Sequence, residues 1–176
     1  MPTDSELPIA LVGLMGAGKT AVAHALGERL AVSIADLDAM IEAEQGCSIA
    51  DLFEREGEPA FRRREGEVLR SALASGARVI ACGGGIVLDP AHRARLAESC
   101  RVVWLQVTPA EAARRVVADH GRRRPLLEGR PAEERLTALL ESRAPLYQDV
   151  SSARVDTTGR TPGQTADAVL DALHLK

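Results

Sequence analysis

The octapeptide GLMGAGKT at residues 13–20 carries the most informative side chain of this chain, Lys19. Lys and Arg together number 22, yet only Lys19 and the terminal Lys176 are lysines. The octapeptide lies between the apolar run PIALV and the helical pattern AVAHALGERL, and it fits G-x-x-x-x-G-K-[ST] at every fixed position. A glycine turn beside a solvated lysine would not require that full match.

Loops of this kind surround nucleotide phosphates with backbone N–H groups at a helix N-terminus. Here the lysine would reach the β- and γ-phosphates and the hydroxyl of Thr20 would bind Mg²⁺. A compact ammonium suits this point-charge role better than a guanidinium fork. The sequence therefore predicts an ATP site with Mg²⁺, formed by Met15, Gly16, Ala17, Gly18, Lys19 and Thr20.

A pair of carboxylates follows the second apolar run, in ADLD at residues 35–38. Asp36 and Asp38 are two residues apart, so in a strand both side chains would lie on one face. They could divide two tasks, with Asp36 holding Mg²⁺ through water and Asp38 orienting an acceptor hydroxyl. Alternatively, Asp38 only caps the helical stretch AMIEAE. The pattern alone favours neither interpretation.

Three adjacent arginines occur in EGEPAFRRREGEVL at residues 56–69. The helical spacing predicts one apolar face and leaves the arginines on the polar side; the apolar face comprises Phe61, Val68, Leu69 and Ala72. We expect Arg63 and Arg64 to be solvated, whereas Glu58 and Glu65 are spaced to hold Arg62 in place. Spacing alone does not choose among the three arginines.

Two glycine-containing segments lie further along the chain. Gly83, Gly84 and Gly85 follow the third apolar run, where a bare backbone permits close approach of a ligand, although a flexible turn has the same composition. The segment ADHGRRRPLLEGRP, 118–131, is typical of a lid: it has glycines at 121 and 129, prolines at 125 and 131, and consecutive arginines at 122–124 that closure could bring to phosphates.

Short apolar runs alternate with longer helical patterns along the whole chain. The predicted strands are Ile9–Val12, Val32–Ala35, Val79–Ala81, Val102–Leu105 and Ala153–Asp156. Helix starts are predicted where a capping residue precedes proline, at Asp89-Pro90, Thr108-Pro109 and Thr161-Pro162. This alternation predicts an α/β fold with a parallel sheet covered on both faces, which binds ligands at the carboxyl ends of its strands.

Composition excludes several other classes of protein. The 176 residues suit a single domain, and four aromatic residues are too few for stacking on single-stranded nucleic acid. Three widely spaced cysteines indicate neither a disulfide framework nor a zinc site. The N-terminal sequence MPTDSELP lacks the basic-then-apolar pattern of a signal peptide, and no apolar run reaches membrane-spanning length. We expect a cytoplasmic monomer with flexible residues 1–7 and no nucleic-acid or membrane partner.

Taken together, these motifs resemble the shikimate kinase family over nearly the whole chain. The resemblance is carried by GLMGAGKT, DLD, GCSIADLFEREGEPAFRRREGEVL, GGG, RRRPLL and RAPLY, in the family's order. It implies a five-stranded parallel sheet of the P-loop nucleoside-monophosphate-kinase type with a lid. It also implies transfer of the ATP γ-phosphate to the 3-hydroxyl of shikimate, a step in aromatic amino acid biosynthesis.

The resemblance also assigns residues. In such enzymes the residues matching Asp38, Arg62, Gly83, Gly84, Gly85 and Arg143 hold shikimate, and those matching Arg124 and Arg160 contact ATP. Arg115 and Pro162 are candidates for flanking adenine, and Lys19, Asp38 and Arg124 for the chemical step. Without the resemblance to this family, Arg143 would be interpreted as a surface cation before a helix break at Pro145. An arginine fork does suit a planar carboxylate such as that of shikimate.

Three alternatives come from other classes. A GTP-driven switch needs an asparagine in its guanine-reading motif, and the sequence contains none. A gluconate kinase would also act on a hydroxylated carboxylate, but the GGG and RAPLY motifs favour shikimate. A non-catalytic nucleotide-binding module predicts the loss of a chemical group, whereas Lys19, Thr20, Asp36, Asp38 and Arg124 are all present.

Overall fold

Five short apolar runs form the strands of one sheet. The computed structural model describes residues 7–119, 127, 129 and 131–175. Its strands are β1 (Ile9–Val12), β2 (Ile34–Asp36), β3 (Val79–Ala81), β4 (Arg101–Gln106) and β5 (Ala153–Asp156). All neighbouring strands are parallel, in the order β2-β3-β1-β4-β5. The expected parallel sheet is confirmed, although β2 begins later than predicted and β4 is one residue longer at each end.

Helices connect the strands, and several begin where the sequence predicts. Their bounds are α1 (Lys19–Leu30), α2 (Leu37–Gln45), α3 (Ile49–Ala74), α4 (Pro90–Ser99), α5 (Pro109–Ala118), α6 (Ala132–Val150) and α7 (Pro162–Ala172). The side chains of Asp89, Thr108 and Thr161 each accept a backbone hydrogen bond from the first turn of the helix that follows. The predicted starts of α4, α5 and α7 are therefore confirmed.

Strand alternation divides the core into two parts, one on each face of the sheet. On β1, Ala10 and Val12 belong to the part that includes residues of α2, α3 and α4, whereas Ile9 and Leu11 belong to the part that includes residues of α1, α5 and α7. Helix α6 contributes to both parts. Both faces of the sheet are covered, and the carboxyl ends of all five strands meet at one edge, where ligands bind in folds of this type.

Two helices depart from simple geometry. Helix α3 bends at Gly57, which has φ 77° and ψ 173°, two residues before Pro59. Helix α6 continues through Pro145 to Val150, so the break after Arg143 that the sequence suggested is not there. Within the described ranges, no helix is both long and apolar enough to span a membrane.

Candidate active site

The loop between β1 and α1 has a backbone that depends on its glycines. Gly13, Gly16 and Gly18 have φ angles of 144°, 83° and 86°, which side chains disfavour. A methyl group at Gly16 would also lie 2.7 Å from the carbonyl oxygen of Ala112. Lys19 begins α1, and its Nζ donates to the carbonyl oxygens of Gly13 at 2.9 Å and Leu14 at 3.0 Å. The ammonium group is therefore folded back over the loop that the sequence assigns to phosphates.

The first turn of α1 meets the end of β2 through Thr20 and Asp36. The Thr20 hydroxyl donates to Asp36 Oδ2 at 2.5 Å. The other carboxylate oxygen, Oδ1, accepts from the backbone N–H of Ala39 at 3.1 Å and so caps α2. Two oxygen groups of the kind that Mg²⁺ prefers thus lie together beside the phosphate loop.

The structure corrects the sequence interpretation of the two aspartates. Asp36 is the last residue of β2, whereas Asp38 lies in the first turn of α2, so strand alternation does not put them on one face. The residue that caps α2 is Asp36, and the interpretation of Asp38 as the cap is wrong. Asp38 instead faces the triple glycine, because its Oδ1 is 2.9 Å from where a Gly83 Cβ would lie.

The triple glycine lies at the centre of the polar site. A Cβ at Gly84 would be 3.4 Å from the backbone nitrogen of Met15 and 3.5 Å from the carbonyl oxygen of Gly13. A Cβ at Gly85 would clash with the guanidinium group of Arg62. The glycines therefore bring the phosphate loop, the carboxylate of Asp38 and the cation of Arg62 around one short stretch of bare backbone.

Arg62 is held in place by two glutamates, as the helical spacing predicts. Its Nε and Nη2 donate to Glu58 Oε1 at 3.2 and 2.9 Å, and its Nη1 donates to Glu65 Oε2 at 2.7 Å. Of its neighbours, Arg63 is exposed as expected, but Arg64 is half-buried and paired with Glu56 at 2.5 Å, so its assignment as a solvated residue is wrong.

Glu65 is fully buried, which the sequence did not indicate. Its Oε2 is paired with Arg62, but its Oε1 has no hydrogen-bond partner among the described residues and is 2.6 Å from where a Gly83 Cβ would lie. Burial raises the pKa of Glu65 to about 7, and the charge of Arg62 opposes that shift. His92, also buried, packs its ring on Gly66 and places Nδ1 3.9 Å from Glu65 Oε2. The carboxyl of Glu65 thus lies between a cation and the glycines.

Arg143 reaches the same glycines from another helix, α6. The side chain is on α6, and the residue is only 4% exposed, so the interpretation as a surface cation is wrong. Its Nη1 donates to the carbonyl oxygen of Gly84 at 3.1 Å, and the hydroxyl of Tyr147, one turn further along α6, donates to the same oxygen. Two arginines therefore flank the triple glycine. Tyr147 was not among the sequence candidates, although it belongs to the RAPLY motif.

A separate cavity of about 410 Å³ opens beside the phosphate loop, and Ala17, Gly18, Arg115, Arg160 and Pro162 are among the residues that line it. Arg115 is fixed in its wall. Its Nε donates to Glu111 at 2.8 Å, its Nη1 to the carbonyl oxygen of Gly16 at 3.2 Å, and its Nη2 to the carbonyl oxygen of Thr157 at 2.7 Å. The structure thus brings together the residues expected beside adenine. Arg124 and most of the 118–131 segment lie outside the described residues.

The chain matches the family model for shikimate kinase over residues 15–174. Shikimate kinase of Thermobifida fusca (strain YX) is 46% identical over 170 residues, which cover 96% of each protein. Among solved structures, shikimate kinase from Acinetobacter baumannii in complex with shikimate matches with a TM-score of 0.89 and 36% identity, covering 96% of this chain and 93% of that one. A gluconokinase from Sinorhizobium meliloti 1021 matches with a TM-score of only 0.58 at 21% identity, covering 96% of this chain and 92% of that one, which is likeness of fold alone.

Proposed function

The chain belongs to the shikimate kinase family, and from that premise we propose that it transfers the γ-phosphate of ATP to the 3-hydroxyl of shikimate at the triple glycine. ATP-dependent phosphorylation of shikimate is the activity of the family. The division of the site into donor and acceptor halves follows the residue roles that the family resemblance implies, and the geometry supports it.

One observation carries this division. A Cβ at Gly84 would be within 3.5 Å of the backbone of the phosphate loop, so the triple glycine of the acceptor half contacts the loop that would hold the γ-phosphate. Phosphoryl transfer depends mainly on positioning and charge stabilisation, so contact between the two halves is what the reaction requires.

On the donor side, Met15–Thr20 would surround the phosphates, and Lys19 would exchange its two carbonyl partners for phosphate oxygens. The adjacent hydroxyl of Thr20 and carboxylate of Asp36 fit Mg²⁺, since both are oxygen donors, with Asp36 acting through water. Bound Mg²⁺ supplies positive charge that balances the phosphates. Arg115, Arg160 and Pro162 would flank adenine, and Arg124, which lies outside the described residues, would add positive charge at the phosphates, as the family resemblance implies.

On the acceptor side, Arg62 and Arg143 would bind the carboxylate of shikimate, with the backbone of Gly83–Gly85 beside it. Arginine forks suit a planar carboxylate because they donate two parallel hydrogen bonds. Asp38 would then accept a hydrogen bond from the acceptor hydroxyl and take its proton as the phosphoryl group arrives. Burial of Arg143 and the two glutamates around Arg62 support the carboxylate-binding role of the arginines, because both cations are held in place before the substrate binds.

The direct test is an acceptor panel with ADP formation and product mass as readouts. With ATP and Mg²⁺, shikimate should give a monophosphate, whereas gluconate and the acceptor-free control should give only background turnover. Turnover with gluconate at a comparable kcat/KM would contradict the assignment of the acceptor, and ATP hydrolysis that no acceptor stimulates would contradict a kinase reaction altogether.

A further inference from the structure

The carbonyl oxygen of Gly84 is the meeting point of two side chains from α6. Arg143 Nη1 donates to it at 3.1 Å, and the hydroxyl of Tyr147 donates to it as well. A carbonyl oxygen has two lone pairs, so these two donors fill its capacity. Both side chains are almost fully buried, whereas Gly84 itself is half-buried. The two bonds therefore account for the polar environment of this oxygen.

The two donors, Arg143 and Tyr147, differ in their expected part in substrate binding. Arg143 is the cation that would also bind the carboxylate of the acceptor, and the Nη1 group that bonds to Gly84 is one of the donors that it could turn to the substrate. A partly buried carbonyl left without a partner carries a desolvation penalty. If Arg143 were the only partner of Gly84, turning Nη1 to the acceptor would incur that penalty, and otherwise only the remaining N–H groups of Arg143 would be available for the acceptor.

Besides its bond to Gly84, the hydroxyl of Tyr147 accepts a hydrogen bond from the side chain of Arg143. Its ring is fully buried beside Trp104, with ring centroids 5.7 Å apart, so the direction of its hydroxyl is fixed by packing. Burial raises the pKa of Tyr147 to about 12, and the hydroxyl remains a donor throughout the neutral range. It can hold the Gly84 oxygen whether or not Arg143 does.

We propose that Tyr147 is a positioning residue for acceptor binding: its hydroxyl keeps the Gly84 carbonyl bonded while Arg143 moves a donor to the carboxylate of the substrate. Because the peptide group is planar and trans, holding this oxygen toward α6 also directs the N–H of Gly85 away from α6. This inference rests on the proposed function, since it requires that Arg143 bind the acceptor.

The test is Tyr147→Phe, which removes one hydroxyl and retains the packing of the ring. We expect the KM for shikimate to rise roughly 3–10-fold, the scale of one neutral hydrogen bond. The KM for ATP and kcat should stay within about twofold, because the hydrogen bonds of this hydroxyl are to Gly84 and Arg143, in the acceptor half of the site. Calorimetric titration with shikimate gives the same comparison without turnover, at a temperature where the variant is folded.

Two further variants keep the outcomes distinct. Leu136→Val, a buried change on the same helix within the other part of the core, should lower the melting temperature without changing the KM for shikimate. Arg143→Ala tests the premise: if it leaves the KM for shikimate unchanged, the proposed function fails at this residue. The inference is overturned if Arg143→Ala raises the KM for shikimate but Tyr147→Phe lowers only the melting temperature. It is also overturned if Tyr147→Phe raises the KM for shikimate and the KM for ATP equally, because Tyr147 would then be a packing residue.

Discussion

Replacing Arg62 by alanine separates the acceptor half of the site from the donor half. The guanidinium group lies against Gly85 and is already oriented by Glu58 and Glu65, so it would bind a carboxylate without further ordering of its side chain. Loss of a hydrogen bond between charged groups costs about 1.5–3 kcal/mol. At one factor of ten per 1.4 kcal/mol, Arg62→Ala should raise the KM for shikimate about 10–100-fold.

The same change removes the partner of a buried carboxyl, and the structure indicates how the protein accommodates this. Arg62 opposes the rise in the pKa of Glu65, so without Arg62 that pKa should rise further, and Glu65 should stay protonated at neutral pH. A neutral buried carboxyl is far less costly than an unpaired charge. We therefore expect the variant to fold and its KM for ATP to remain close to the wild-type value.

Steady-state kinetics with each substrate varied in turn tests this expectation. Arg63→Ala is the matched control, because Arg63 is the next residue on α3 but is exposed. The control should have wild-type values for both KM constants. Our assignment of Arg62 would be refuted by a KM for shikimate within twofold of wild type, by an equal rise in the KM for ATP, or by the same effect in the control.

Three other substitutions test individual residues. Asp38→Asn should retain ATP binding in calorimetry but lower kcat by roughly 10²–10⁴-fold, the usual contribution of a general base, and near-normal turnover would contradict that role. Asp36→Asn keeps a good helix cap, so it should shift the Mg²⁺ dependence of activity to higher concentration at an unchanged melting temperature; an unchanged Mg²⁺ curve would leave Asp36 as a cap only. Glu65 has a folded-state pKa of about 7, above its ordinary value of 4.5, so it destabilises the protein increasingly as pH rises between these two values and no further once pH is well above the folded-state pKa. Glu65→Gln lacks this titration, and its melting temperature relative to wild type should increase from about pH 5 to about pH 8; a constant difference would contradict the raised pKa.

Local patterns were sufficient to predict the fold and much of the site. Proline after a capping residue predicted three helix starts, and glycine spacing predicted the phosphate loop, because both depend on neighbours in the chain. The burial of Glu65 and of Arg143 could not be predicted in the same way. Each appears in the sequence as one more charged residue on a helix, and only the meeting of α3, α6 and the glycine segment encloses it.

The triple glycine shows why composition alone left that segment ambiguous. A flexible turn and a close-packed backbone have the same sequence, but they use glycine for different reasons. None of the three has a positive φ, so their backbone conformations do not require glycine. What requires glycine is space: a methyl group at Gly83 would meet Glu65 and Asp38, one at Gly84 would approach the phosphate loop, and one at Gly85 would meet Arg62. Each glycine therefore leaves space for a different group of the site. The donor half, the carboxylate of Asp38 and the cation of Arg62 come together at this segment.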